Sequence, residues 1–185
     1  MADHSHTHSS STPGHSENPS HIEHKDQGPH EIGCMVITCS DTRTPETDTS
    51  GQLIQQLLNQ RRHRVSSYTI IKDEPEEIRR LLSEAASNDS IETVIINGGT
   101  GISRRDATFE AIDELLEKRL DGFGEIFRYL SYKEIGSPAI LSRATAGLYH
   151  GKVIFSVPGS KGAVQLAMEE LILPEMGHIV GEMRK

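Results

Sequence analysis

The chemistry that this sequence could carry centres on a glycine-rich stretch. Residues 93–96 are apolar or β-branched, and Gly98-Gly99-Thr100-Gly101 follow them almost directly. Glycines after a buried strand allow a sharp turn with uncovered backbone N–H groups, which can bind an anion. Apolar residues at helical spacing between Ala107 and Lys118 predict a helix after the loop, whose N-terminal dipole also favours negative charge. The stretch therefore predicts a phosphate-binding site.

Asp106 follows the loop, where its negative charge would oppose a bound phosphate. Its presence is explained if it holds a divalent cation, which prefers oxygen ligands and bridges a carboxylate to phosphate oxygens. Two alternatives stay open, because the glycines could form a turn without a ligand and Asp106 could cap the next helix. The loop matches neither the P-loop pattern nor the Gly-x-Gly-x-x-Gly dinucleotide pattern. The sequence thus disfavours both of those nucleotide-binding classes.

Alternating strand-like and helix-like segments must position this loop. Strand patterns cover residues 32–40, 65–71, 91–97 and 152–156, and helical patterns cover 51–60, 76–87, 107–118, a segment ending near 132, 161–173 and the chain from 174 onward. This alternation predicts a three-layer α/β/α fold, in which helices cover both faces of a mainly parallel sheet. Ligands bind such sheets at the carboxyl ends of the strands.

Three strand ends should therefore open at one edge of the sheet. The first strand ends in Ser40-Asp41-Thr42, the third in the glycine loop, and the late strand in Ser156-Val157-Pro158-Gly159-Ser160. Asp48 lies in the polar loop after the first strand, where it could be a second oxygen ligand for the same cation. We expect both aspartates at the surface of the pocket. The alternative is that Asp48, Thr49 or Ser50 simply caps a helix.

Composition restricts the partners and the cellular location. The formal charge of -8 argues against nucleic-acid binding, which depends on clustered Lys and Arg. No apolar run approaches the roughly 18 residues that span a bilayer, and no signal peptide is present, so we expect a cytoplasmic protein without membrane contact. Cys34 and Cys39 lie five positions apart in one predicted strand, so their side chains should point to opposite faces as reduced thiols.

The chain divides into a tail and one domain. Residues 1–30 are almost entirely His, Ser, Thr, Pro, Gly and charged residues, so they cannot bury enough apolar surface and are predicted to be disordered. Seven of the ten histidines lie there, which raises a metal-binding hypothesis, although imidazoles on such a chain lack a fixed geometry. Residues 31–185 are long enough for one core, and we predict a single domain.

Six blocks in this order resemble the MoaB and MogA family of molybdenum-cofactor biosynthesis proteins, most nearly its MoaB branch, over residues 31–185. Together they are far more specific than one glycine loop. The blocks are Ser40-Asp41-Thr42-Arg43, Thr47-Asp48-Thr49-Ser50-Gly51, Asn97-Gly98-Gly99-Thr100-Gly101 through Arg105-Asp106, Gly122-Phe123-Gly124-Glu125, Leu141-Ser142-Arg143-Ala144 and Val157-Pro158-Gly159-Ser160.

The resemblance implies adenylyl transfer, in which molybdopterin and ATP give adenylylated molybdopterin and pyrophosphate with Mg²⁺. Asp48 and Asp106 match the family's two essential aspartates, so the resemblance implies that they are catalytic and hold the metal. It also implies that Ser131 and Ser142 lie near the pterin. The alternative is a non-catalytic carrier of molybdopterin or nucleotide in the same pathway. The predicted binding residues are Ser40, Asp41, Ser50, Gly98, Gly99, Thr100, Gly101, Ser131, Ser142, Arg143, Pro158, Gly159 and Ser160.

Basic side chains could offset the negative charge of the substrates. In the implied reaction two polyanions, molybdopterin and ATP, must come together. Their charge could be shared by Arg104, Arg105, Arg143 and Lys161, although each could equally be a solvated surface residue.

The resemblance implies a homotrimer or a hexamer of two trimers, with other cofactor-synthesis enzymes as possible partners. Residues 135–149 carry few charges and would expose apolar surface on a monomer, unless they pack internally. A serine hydrolase is disfavoured because Gly-x-Ser-x-Gly is missing.

Overall fold

The computed structural model describes residues 29–103 and 106–185. The predicted tail, apart from Pro29 and His30, lies outside the described residues, and so do Arg104 and Arg105. Six strands form one sheet in the order β2-β1-β3-β6-β5-β4. The strands are β1 (Gly33–Cys39), β2 (Arg64–Ile71), β3 (Thr93–Gly98), β4 (Lys118–Arg119), β5 (Thr145–Tyr149) and β6 (Lys152–Val157).

The four strands that carry the site are parallel. Both β2 and β3 pair in parallel with β1, and β6 pairs in parallel with β3, whereas β5 and β4 continue the sheet in antiparallel pairing. Every residue of β1, β3 and β6 is buried. Such continuous burial is typical of parallel strands covered on both faces. The predicted mainly parallel sheet with helices on both faces is confirmed.

Helices pack on the two faces of this sheet and form two apolar cores. One core joins the sheet to α1, α4, α5 and α6, and the other joins it to α2 and α3. The helices are α1 (Thr49–Gln60), α2 (Pro75–Ala86), α3 (Thr108–Leu115), α4 (Asp121–Ile135), α5 (Lys161–Ala167) and α6 (Leu173–Met183), with a 3₁₀ helix at Ser137–Leu141 and a π turn at Met168–Ile172 between α5 and α6.

The two cysteines separate as predicted. Cys34 belongs to the core under α1, Cys39 belongs to the opposite core, and both are free thiols. Burial raises the pKa of each thiol to about 12, so neither is a nucleophile near neutral pH. No helix within residues 29–103 and 106–185 is long and apolar enough to cross a membrane.

The region between the glycine loop and β6 differs from the sequence prediction. The predicted helix over 107–118 begins at Thr108 and stops at Leu115, because Glu117 N–H bonds to the Leu148 carbonyl of β5 instead. Strands β4 and β5 were not predicted: β4 has two residues, and β5 contains Ala and Gly, which have low strand propensity. Pairing with β6 overrides that propensity.

Candidate functional site

The glycine loop turns its carbonyl groups toward the protein. Gly98 and Gly99 have φ angles of 96° and 64°, a region that favours glycine. The Gly99 carbonyl accepts from Phe109 N–H at 3.2 Å, and Arg143 donates to the Thr100 and Gly101 carbonyls. Within the described part of the chain, the N–H groups of Gly99, Thr100 and Gly101 donate to no protein atom. This arrangement leaves a row of N–H donors for an anion.

Arg143 is the side chain that holds this loop. Its Nε donates to the Thr100 carbonyl at 2.9 Å, its second terminal nitrogen donates to the Gly101 carbonyl, and its guanidinium pairs with Glu110 of α3. The guanidinium carbon also lies 4.4 Å from the centre of the Phe109 ring. Because protein groups surround the guanidinium on several sides, the role that the structure shows for Arg143 is to support the glycine loop.

Asp106 turns back onto its own loop and does not cap α3. Its Oδ2 accepts from Ser103 N–H at 2.9 Å. Hydrogen bonds from Ser103 hold the pKa of Asp106 below its ordinary value. A hydrogen bond with Asp73 and the positive charge of Arg143 lower that pKa further. The carboxylate is therefore ionised at neutral pH and lies beside the glycine loop, as a cation ligand must.

Asp73, two residues after the end of β2, is the carboxyl group that interacts with Asp106. Its Oδ1 accepts from both the N–H and the hydroxyl of Thr108, at 3.1 and 2.5 Å, so it caps α3. Asp73 is absent from the predicted site residues. The signal was present, since Asp73 follows a predicted parallel strand whose carboxyl end must reach the same edge of the sheet.

Asp48 is completely buried, which corrects our expectation that it lies at the surface of the pocket. Its Oδ1 accepts from Gly51 N–H and from Arg43, both at 3.0 Å, and its Oδ2 accepts from the Thr38 and Tyr68 hydroxyls at 2.5 and 2.7 Å. Burial raises the pKa of Asp48, but these hydrogen bonds and the Arg43 charge outweigh it and keep the pKa below its ordinary value. The helix-capping alternative is correct for α1.

Arg43, in the loop after β1, and Ser50, in the first turn of α1, both bind the loop after β6. Arg43 donates to the Gly159 carbonyl at 2.8 Å, and the buried Ser50 hydroxyl donates to the same oxygen at 2.9 Å. A Cβ atom on Gly159 would lie 3.1 Å from Cα of Gly98, so this loop also packs closely on the start of the glycine loop. The three predicted strand ends therefore meet.

The other predicted serines and Asp41 occupy several different parts of the fold. Ser40 accepts from the N–H groups of Thr42 and Arg43, and it lines with Asp41 a cleft of about 610 Å³ at the ends of β1 and β2. Ser160 caps α5, and Ser142 precedes the loop-holding Arg143. Ser131 is buried within α4.

The carboxyl groups allow a test of whether a magnesium ion fits. Mg²⁺ in phosphate sites commonly uses one or two carboxylates together with phosphate oxygens and water. Asp73 and Asp106 fit that description, because their oxygens lie against Gly99 and Gly101 of the loop. Both oxygens of Asp48, by contrast, already accept two hydrogen bonds each. Across residues 29–103 and 106–185, no group of three or more His, Cys, Asp or Glu side chains could hold a metal without such help.

Comparisons with known proteins agree on one family. The family model described as a probable molybdopterin binding domain matches residues 35–178. Molybdenum cofactor biosynthesis protein B of Bacillus cereus is 52% identical over 164 residues, which cover 88% of this chain and 97% of that protein. A crystal structure of a molybdenum cofactor biosynthesis protein B has 52% identity and a TM-score of 0.82, covering 85% of this chain and 99% of the other. The tungsten cofactor synthesizing protein MoaB from Pyrococcus furiosus has 39% identity and a TM-score of 0.76, covering 85% and 99%.

Proposed function

We propose, from the premise that this chain belongs to the family of molybdopterin-binding proteins of molybdenum cofactor biosynthesis, that it transfers an adenylyl group from ATP to molybdopterin. The family membership and the pathway follow from the comparisons. The adenylyl transfer, its dependence on Mg²⁺ and the use of ATP are our proposal. The alternative within the same pathway is a protein that binds and delivers these molecules without turnover.

The observation that supports the proposal best is the orientation of the glycine loop. Three successive carbonyls, those of Gly99, Thr100 and Gly101, accept hydrogen bonds from protein donors. The loop therefore presents N–H groups, and α3 begins a few residues later at Thr108. A row of donors at the carboxyl ends of parallel strands suits the phosphate groups of a nucleotide.

The proposed reaction joins the phosphate of molybdopterin to the α-phosphate of ATP and releases pyrophosphate. The terminal phosphate oxygen of molybdopterin forms a bond to the α-phosphorus of ATP, while the bond from that phosphorus to the bridging oxygen breaks and pyrophosphate leaves. Because both substrates are polyanions, catalysis depends mostly on positioning and on neutralising charge. The N–H row of the glycine loop binds and orients the nucleotide, and Arg143 keeps that row in place.

Asp73 and Asp106 are the residues that would hold Mg²⁺. When bound there, the ion would supply positive charge that neutralises the phosphates during transfer. Asp106 is kept ionised by its hydrogen bonds from Ser103, so it is ready to accept a cation at neutral pH. The acidic character of the chain, with a net charge of -8, makes such neutralisation more necessary.

We also propose that the protein assembles with copies of itself through the α4–3₁₀ surface, defined by Tyr129, Tyr132, Ile135, Ile140 and Leu141. These five side chains are 54% to 83% exposed, although all are large and apolar. A patch of this kind on a single chain indicates a protein interface. The later part of the predicted apolar segment packs internally instead, because residues 145–149 form β5. Family resemblance suggests a trimer or a hexamer.

Incubation with molybdopterin, ATP and Mg²⁺, followed by mass spectrometry of the pterin, tests the adenylyl transfer. We expect adenylylated molybdopterin from the native protein. Gly99→Ala should abolish it, since a Cβ atom at the positive φ of Gly99 would lie 2.5 Å from Cβ of Thr108. Gly122→Ala is the matched control, because nothing lies within 4 Å of a Cβ atom there. Bound but unmodified molybdopterin would instead support the carrier alternative.

A further inference from the structure

We infer that Asp48 is a positioning residue and not a cation ligand: it holds Arg43 against the Gly159 carbonyl and so fixes the loop after β6 beside the glycine loop. The inference rests on the proposed function for its effect on nucleotide binding. It differs from the role that the sequence resemblance implies for this residue, which is to bind the metal.

Both oxygens of Asp48 are already occupied by hydrogen-bond donors. Four donors reach this fully buried carboxylate, two on each oxygen. A cation could bind only if a donor left, and displacing the Thr38 hydroxyl would leave that fully buried group without its acceptor. Such a loss costs more than an ordinary hydrogen bond contributes, because the group has been removed from water.

Hydrogen bonds connect Asp48 to the loops on both sides of it. The Thr38 hydroxyl, which donates to Asp48, accepts in turn from Asn97 Nδ2 at 2.8 Å. Asn97 is buried and immediately precedes Gly98 of the glycine loop. On its other side Asp48 binds Arg43, which reaches the Gly159 carbonyl. Asp48 therefore lies at the centre of a network that joins the bases of both loops.

Hydrogen bonds also fix the direction of the Gly159 carbonyl. Two donors, from Arg43 and Ser50, hold its carbonyl toward the loop after β1. A peptide fixed in this way cannot rotate to present its carbonyl oxygen toward a phosphate, where the two would repel each other. Loss of the Asp48 charge would free Arg43, and Ser50 alone would then hold the carbonyl.

Hydrogen exchange measured on the full chain tests this network without reference to activity. Asp48→Asn keeps one acceptor for Gly51 N–H, and its amide can donate to a hydroxyl, so the variant should fold. We expect exchange in the peptide over residues 157–162 to be about tenfold faster in Asp48→Asn and in Arg43→Gln, with no greater effect in the double variant. Asp113→Asn and Arg79→Gln, which change partly exposed ion pairs of α3 and α2, are the controls.

Titration of Mg²⁺ at fixed ATP separates positioning from metal binding. We expect Asp48→Asn to weaken ATP binding about tenfold and to leave the half-saturating Mg²⁺ concentration unchanged, whereas Asp106→Asn should raise that concentration about tenfold. Native exchange rates over residues 157–162 in Asp48→Asn would overturn the inference, as would a Mg²⁺ shift as large as that of Asp106→Asn. If the native protein forms no adenylylated product, the proposed function fails, but the exchange result still decides the role of Asp48.

Discussion

Arg143 Nε lies 2.9 Å from the carbonyl oxygen of Thr100, although the two residues are 43 positions apart in the chain. The arginine follows the 3₁₀ helix, and the threonine lies in the glycine loop after β3. This contact connects the α4–3₁₀ surface, through only a few residues, to the loop that we propose binds the nucleotide. The geometry of the loop therefore depends on a distant part of the sequence.

Replacing Arg143 with lysine should weaken ATP binding while the protein stays folded. A lysine keeps the charge but cannot bond to Thr100, Gly101 and Glu110 together, because it lacks the planar fork of guanidinium donors. We expect about a tenfold loss of ATP affinity, as for one charge-assisted hydrogen bond, measured by titration calorimetry beside thermal melting. Arg79→Lys is the control on an exposed ion pair. Unchanged ATP affinity in Arg143→Lys would mean that the loop holds its shape unaided.

Asp106→Asn and Asp73→Asn should each reduce adenylyl transfer by about 10²–10³-fold, by analogy with loss of a transition-state contact. Both variants should remain folded. Asparagine at position 73 can still accept from Thr108 and cap α3, and Asp106 lies outside the apolar cores. The measurement is initial rate beside melting temperature, with Asp113→Asn as the control. Near-native rates for either variant would remove that carboxylate from the site.

The sequence predicted the central strands well and the surroundings of the carboxylates less well. Continuous apolar runs identify β1, β3 and β6, because strands buried on both faces need them. Asp48 and Asp73 both follow parallel strands, so local sequence cannot rank them. The two carboxylates differ in their tertiary partners. The Tyr68 hydroxyl of β2 donates the second hydrogen bond to Oδ2 of Asp48, whereas Asp73 interacts with Asp106 beside the glycine loop. Such contacts join residues far apart in the chain.

The stability of the protein should depend on the ionisation of Asp48 in acid. Its pKa is lowered in the folded state, so its contribution is present above the unfolded pKa of about 3.9 and is lost as pH falls through the folded pKa. The difference in unfolding free energy between the native protein and Asp48→Asn should be largest near pH 7 and should shrink below about pH 4. Chemical denaturation across this range measures it. A difference that stays constant in acid would contradict the expectation.

Light scattering should give a mass of about three or six times the 20.4 kDa chain. Ile140→Glu places a charge on the most exposed apolar side chain of the α4–3₁₀ surface, which is 83% exposed. We expect this variant to dissociate without unfolding, because an exposed site can accept a charge in the monomer but not in an apolar interface. A native mass near that of one chain would contradict the proposed assembly. A native-like mass for Ile140→Glu would place the interface elsewhere.

The most direct test of the central claim is the fate of the α-phosphate of ATP. ATP labelled at that position is incubated with the protein, molybdopterin and Mg²⁺, and the label on the pterin is compared with the pyrophosphate released. We predict equal amounts of both, with neither formed when molybdopterin is omitted or when Gly99→Ala replaces the native protein. Molybdopterin that is bound by the native protein but remains unlabelled, without pyrophosphate release, would contradict the claim that this chain is an adenylyltransferase.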